Sequence, residues 1–280
     1  MEKIAIMVDS GSNILEDKEN GIFMVPLYLH TNDFSKKDIY EINRDELFEI
    51  IDKKSPTTSA PSIDDFSKKI EEIKKLGYEK IISISISSKL SGTFNAARIA
   101  FENSDIDYRI IDSLNGSYCT GFLAIHARKL ANKGKKIDEI VESLERLKAN
   151  NFFLITVSNL KYLIKSGRVP KISGFIGNFL NIRPIITIDD NGFAIPIEKC
   201  RGAKKTCEKI AELIREKLKN VKEYYLCFAY GEDTKDLEYL ESILKDEISA
   251  AKIYTTVPLT SVLCTLSGPG ALVCCVTPIV

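Results

Sequence analysis

The sequence predicts an α/β protein of two units, the first a three-layer α/β/α arrangement around a mostly parallel sheet, the second an α/β unit with a mixed sheet. Three observations carry this. Strand-like apolar runs alternate with helical patterns over the first 150 residues. Those runs are continuously apolar, as in strands buried on both faces. Near residue 150 the rhythm changes, and "DDNG" between RPIITI and FAIPIEKC is a hairpin signal that demands some antiparallel pairing.

Taken in order, KIAIMV (3–8) reads as a strand ended by DSGSN, and GIFMVPLYLH (21–30) as a second strand. RDELFEIIDKK (44–54) is helical by its spacing of charged and apolar residues. TTSAPS (57–62) leads into another helix, with Ser62 as N-cap, acids in the first turn and Gly77 as the stop. KIISISIS (80–87) and YRIIDS (108–113) are strands three and four, each followed by a helix, the latter ending at Gly134. FFLITVS (152–158) opens the second half, and the boundary between units 1–155 and 156–280 is expected there. Short helices or turns over NLKYLIKSGRV and KISGFIGNFLNI, the hairpin, a long helix over Ala203–Leu218, YYLCFAY (224–230), a further helix, IYTTVP and ALVCCVTP complete it.

Length allows one large domain or two modest ones. Lys plus Arg balance Asp plus Glu at 39 each, which gives no electrostatic reason to expect a nucleic acid or an anionic membrane as partner. No apolar run approaches the ~20 residues that span a bilayer, so no membrane anchor is expected, and without a secretory signal the cytoplasm is the expected compartment. The seven cysteines are odd in number, form no CxxC and mostly sit in apolar runs. Buried free thiols are expected, with no metal site and no cofactor.

In an open parallel sheet, ligands bind beyond the carboxyl ends of the strands. Those ends carry many short polar residues: Asp9, Ser10, Ser12 and Asn13; Ser87, Ser88, Ser91 and Thr93 around Gly92; Asp112 and Ser113. Thr57, Thr58 and Ser59 stand just before a helix. Each alone is an ordinary cap or turn residue; together, on one sheet edge, they point to a site for an oxygen-rich or anionic group.

A phosphate loop is excluded, because GxxxxGK[ST] is absent and the loop has only Gly92. A serine hydrolase lacks GxSxG, and its base would have to be His30 at a loop edge or His126 inside a helix, where a structural role is expected. Ser91 therefore reads as a hydrogen-bond donor. Arg168, after Gly167 at the end of a short helix, is a candidate carboxylate or phosphate fork. Arg201, Lys204 and Lys205 oppose the dipole of the helix they open; an anionic partner would explain them, and so would a solvated face.

"VDSGSN", "TTSAPS", "SSKLSGTFNAA", "LKYLIKSGRV", "LNIRPII", "CRGAKK" and "SGPGAL" occur in the order found in the DegV family, which the whole chain resembles. The resemblance implies a DegV-like two-domain fold with a two-layer C-terminal unit, binding a long-chain fatty acid in an apolar tunnel, without catalysis of its own. It also implies a partner, an ATP-dependent fatty acid kinase that phosphorylates the presented carboxylate. Carried over by motif, Thr58 and Ser91 hold the carboxylate, with Ser59, Gly92, Thr93, Ser10 and Arg168 around it, and Arg201 with Lys204 meets the kinase. Phe175, Ile176, Phe179 and Leu180, on one helix face, are candidate tunnel wall. Two departures stand out: Leu266 replaces the family's histidine before GPG, and Ala60 replaces a common Gln. The alternatives are an enzyme acting through Asp9, Ser91 and Asp112 on a small phosphorylated or hydroxylated substrate, and a sensor of apolar ligands acting through protein contacts.

Overall fold

The computed structural model describes residues 2–170, 172, 174 and 182–279. The first sheet has four parallel strands in the order β2 (Ile22–Val25), β1 (Ile4–Asp9), β6 (Lys80–Ser85) and β7 (Asp107–Asp112). One face carries Ala5, Met7, Phe23 and Ile81 under α2 (Ile63–Lys75) and α3 (Thr93–Glu102). The other carries Ile6, Val8, Ile82 and Ile84 against α4 (Ser117–Asn132) and α5 (Ile137–Lys148). This is the expected three-layer arrangement. Alternate residues face opposite sides and both sides are buried, so the strands are apolar throughout.

The second sheet is mixed, in the order β10 (Ala194–Arg201), β9 (Ile182–Ile188), β8 (Phe152–Val157), β13 (Ala271–Pro278), β11 (Tyr224–Tyr230) and β12 (Ile253–Pro258). Only β11 and β12 pair in parallel. Its outer face packs Leu154, Leu226 and Phe228 on α7 (Ala203–Leu218) and α8 (Lys235–Ile243); a one-turn helix, α9 (Lys245–Ala250), follows. Its inner face meets Cys119 and Phe122 of α4. Helix α4 thus stands between the sheets, with Leu123, Ala124 and Ala127 toward the first and Phe122 toward the second. The division expected at residue 155 falls inside β8, which pairs only with strands of the second sheet.

The run read as one strand over 21–30 is two. Pro26 lacks an amide N–H and interrupts the ladder; beyond it the chain leaves the parallel sheet and forms β3 (Tyr28–His30). This strand centres a small antiparallel sheet with β4 (Ser35–Lys37) and β5 (Thr57–Ser59). Between them lies α1 (Arg44–Lys54). TTS is therefore a strand, and its pairing fixes Thr58 opposite Leu29. Ser62 caps α2 as expected, accepting from the Asp65 amide at 3.1 Å while Asp65 accepts from the Ser62 amide.

Candidate functional site

The strand ends of the first sheet, the small sheet and the inner face of the second sheet enclose a cavity of about 900 Å³, counting its open mouth. The second sheet supplies Phe153, Ile155, Ile186 and Val273. α10 (Ser261–Ser267) adds Leu263, Leu266 and Ser267, and α6 (Lys161–Ser166) with the turn after it adds Leu163, Ser166, Arg168 and Val169. From the first half of the chain, Thr58, Ser59, Ala60, Ser91 and Ser117 bring small and hydroxyl side chains to the wall.

The expected residues Thr58, Ser59, Ser91, Arg168 and Leu266 all lie on this one wall. Ser91 Oγ is 2.7 Å from Thr93 Oγ1 and accepts from the Thr93 amide at 3.3 Å. Either hydroxyl can donate in that pair; when the fully buried Thr93 does, the Ser91 O–H is left for the cavity. Gly92 is the N-cap of α3 and offers no side chain, leaving the first amides of that helix without a side-chain acceptor beyond Ser91. A Cβ at Gly92 would stand 3.9 Å from the Ala60 methyl, so the two are neighbours. Gly167, left-handed at φ 68°, ends α6 and turns the chain so that Arg168 reaches the wall; its Nη1 donates to the Ser166 carbonyl at 2.6 Å.

Ser10 is elsewhere. It is fully buried, is absent from the cavity wall, and its hydroxyl accepts from the Leu27 amide at 3.1 Å. Arg201 ends β10 and Lys204 opens α7, both exposed and away from the cavity; Lys204 lies over the Tyr239 ring. Phe175, Ile176, Phe179 and Leu180 lie outside the described residues.

Asp9 and Asp112 serve the backbone. Asp9 accepts from the Gly11 amide at 2.9 Å and the Ile86 amide at 3.0 Å; burial pushes its carboxyl up to about 7 against those two bonds. Asp112 accepts from the amides of Ser88 and Leu114. Neither lines the cavity, and neither sits beside Ser91 as a base. His126 is held by Ser143 Oγ at 3.1 Å and Tyr225 OH at 3.4 Å, with burial lowering its pKa, a structural histidine as expected.

Two features escaped the sequence. His30 Nε2 lies 2.8 Å from Ser59 Oγ, because β3 and β5 pair although these two residues are 29 positions apart. Asp38 is wholly buried, with Oδ1 accepting from the Val262 amide of α10 at 3.3 Å and Oδ2 without a hydrogen-bond partner among the described residues; burial pushes it up to about 6. Asn13 makes a second bridge, donating to the Pro258 carbonyl and accepting from the Thr260 amide. Nothing local in sequence announces contacts this distant. Among the described residues no group of three or more His, Cys, Asp or Glu could hold a metal ion, and no helix is long and apolar enough to cross a membrane.

The family described as "Uncharacterised protein, DegV family" matches residues 3–278. The chain belongs to the DegV family. A DegV domain-containing protein of Clostridium acetobutylicum is 33% identical, over 96% of this chain and 97% of its own. A Thermotoga maritima protein named "Fatty acid-binding protein" is 32% identical, over 96% and 95%. The solved structure "Fatty Acid Binding of a DegV family Protein from Thermus thermophilus" superposes with a TM-score of 0.91 at 26% identity, covering 99% of both chains. "DegV, a fatty acid binding protein from Bacillus subtilis" gives 0.89 at 27%, covering 99% and 100%. This DegV-family chain thus shares the mixed α/β fold of these structures along nearly its whole length.

Proposed function

We propose that the protein binds a long-chain fatty acid in the cavity between the sheets, its carboxylate held by Thr58 and Ser91 with Arg168 beside them. The observation that carries this is a largely apolar wall that also bears the hydroxyls of Thr58 and Ser91 and the side chain of Arg168. A hydrophobic lining takes the chain, and charge-assisted hydrogen bonds take the head group. Relatives named or described as fatty-acid binding support the choice of ligand.

With no base at Ser91, the protein holds the acid without transforming it, and a separate ATP-dependent kinase receives the carboxylate. Arg201 and Lys204, exposed and remote from the cavity, form the docking side for that kinase. Leu266 puts a hydrocarbon in the wall where a histidine would add a polar group, so the carboxylate depends on the hydroxyls and Arg168 alone.

The experiment is native mass spectrometry of the purified protein followed by organic extraction. A long-chain acid co-purifying at near-unit occupancy is the expected result. An empty protein that hydrolyses phosphate esters would refute the reading in favour of the strand-end enzyme.

A further inference from the structure

The hairpin that joins β9 to β10 ends in a turn that reaches across to the loop bearing Ser91. Ser87 is wholly buried there, and its hydroxyl donates to the Gly192 carbonyl at 2.8 Å while accepting from the Lys89 amide at 3.1 Å. Its backbone carbonyl accepts from the amides of Leu90 at 3.0 Å and Ser91 at 3.1 Å, and its own amide donates to the Asn115 carbonyl of the loop after β7 at 2.7 Å. The turn is shaped for this contact. Asp189 Oδ1 accepts from the Asn191 and Phe193 amides, Gly192 is left-handed at φ 87°, and a Cβ on it would collide with the Ser87 hydroxyl. Nearby, Lys89 Nζ lies over the Phe193 ring, 5.4 Å from its centre. Ile188 and Ala194, paired across the hairpin beside this turn, line the cavity, as do Leu90 and Ser91. One buried hydroxyl thus joins the head-group loop to strands that form the apolar wall.

We propose that Ser87 is a positioning residue for the carboxylate grip, acting through Ser91: its clasp on the hairpin turn fixes where Ser91 stands relative to the apolar wall. This rests on the fatty-acid reading of the cavity. Ser87 is absent from the cavity wall, so it does not itself hold the ligand. Ser91 follows a strand of the first sheet, whereas Ile188 and Ala194 belong to the second. One ligand spans both, and its head and chain are gripped at a set separation only while the two segments are joined. Without the Ser87 hydroxyl the Gly192 carbonyl loses its buried donor, the turn and the loop part, and Ser91 loses its fixed place against the chain.

The test is calorimetric titration of the intact delipidated protein with palmitate, together with the carbon-13 resonance of bound palmitate labelled at its carboxyl carbon. Ser87→Ala is expected to weaken palmitate about tenfold and to displace the carboxyl resonance. Because Ser87 acts through Ser91, Ser87→Ala combined with Ser91→Ala should bind within about twofold of Ser91→Ala alone. Thr206→Ala removes an equally buried hydroxyl, bonded to the Gly202 carbonyl in the outer helix α7, and should move neither readout. Gly192→Ala breaks the same clasp from the turn side and gives the same readout should Ser87→Ala fail to fold. The proposal is overturned if affinity and resonance stay at wild-type values in Gly192→Ala or in folded Ser87→Ala, if the two losses add in the double variant, or if Thr206→Ala matches Ser87→Ala. A wild-type protein that binds no fatty acid would sink the fatty-acid reading, and this proposal with it.

Discussion

The loops after β1 and β6 are built from the same residue types and end up with opposite jobs. In the first, Asp9 binds two amides, Ser12 Oγ donates to the Asp9 carbonyl at 2.7 Å, Ser10 holds Leu27, and Asn13 bridges to the far end of the chain. In the second, Ser87 Oγ donates to the Gly192 carbonyl of the β9–β10 turn at 2.8 Å, but Ser91, backed by Thr93, keeps hydrogen-bonding capacity on the cavity side. Short polar residues at strand ends thus divide by what is left over once the backbone is served.

The two loops should differ most sharply at Asp9. Asp9→Ala strands two buried amides and should lower unfolding stability by about 2–5 kcal/mol, read from the urea midpoint. Ser91→Ala should leave that midpoint nearly unchanged, and a large stability loss there would erase the contrast.

Next is a pH effect from Asp38. Its carboxyl is pushed up to about 6, whereas in the unfolded chain it titrates near the usual ~4. Between those values the folded protein keeps a proton that the unfolded chain has released. This stability is complete below about pH 4 and lost as pH rises through about 6, at most about 3 kcal/mol. Asp9 acts in the same direction, and the buried His126, with its lowered pKa, in the opposite one. The difference between wild type and Asp38→Asn therefore isolates the effect. The gap between the urea midpoints at pH 5 and 7.5 should be smaller in the variant than in the wild type; equal pH slopes in both proteins would refute it.

For the cavity loop, Ser91→Ala and Thr58→Ala should each weaken fatty acid binding about 10- to 100-fold, the cost of a hydrogen bond to a charged group. Ser10→Ala should change affinity little, since its hydroxyl is spent on Leu27. Calorimetric titration with palmitate decides, and a Ser10→Ala loss as large as that of Ser91→Ala would contradict the division. The smallest expected effect is Leu266→His: affinity within a few-fold of wild type, but more acyl phosphate formed with a partner kinase. No gain over wild type would count against Leu266 as the limiting position.

Much of the frame was legible because long apolar runs and helix caps are local signals. β1, β6, β7 and the capped α2 follow from them. β4 and β5 are three-residue polar strands that exist only because β3 pairs with them, and Pro26 hides the switch between sheets inside one apolar run. The grouping of Thr58 and Ser91 came from motif order. The Ser87–Gly192 bond, Asp38 and the His30–Ser59 contact were invisible because each takes its meaning from partners far away in sequence.

The central claim is that a fatty acid carboxylate rests on Thr58 and Ser91. Carbon-13 NMR of palmitate labelled at the carboxyl carbon tests it most directly. One carboxyl resonance, distinct from free palmitate and displaced in both Thr58→Ala and Ser91→Ala, is the predicted result. A bound resonance unmoved by both substitutions would contradict it.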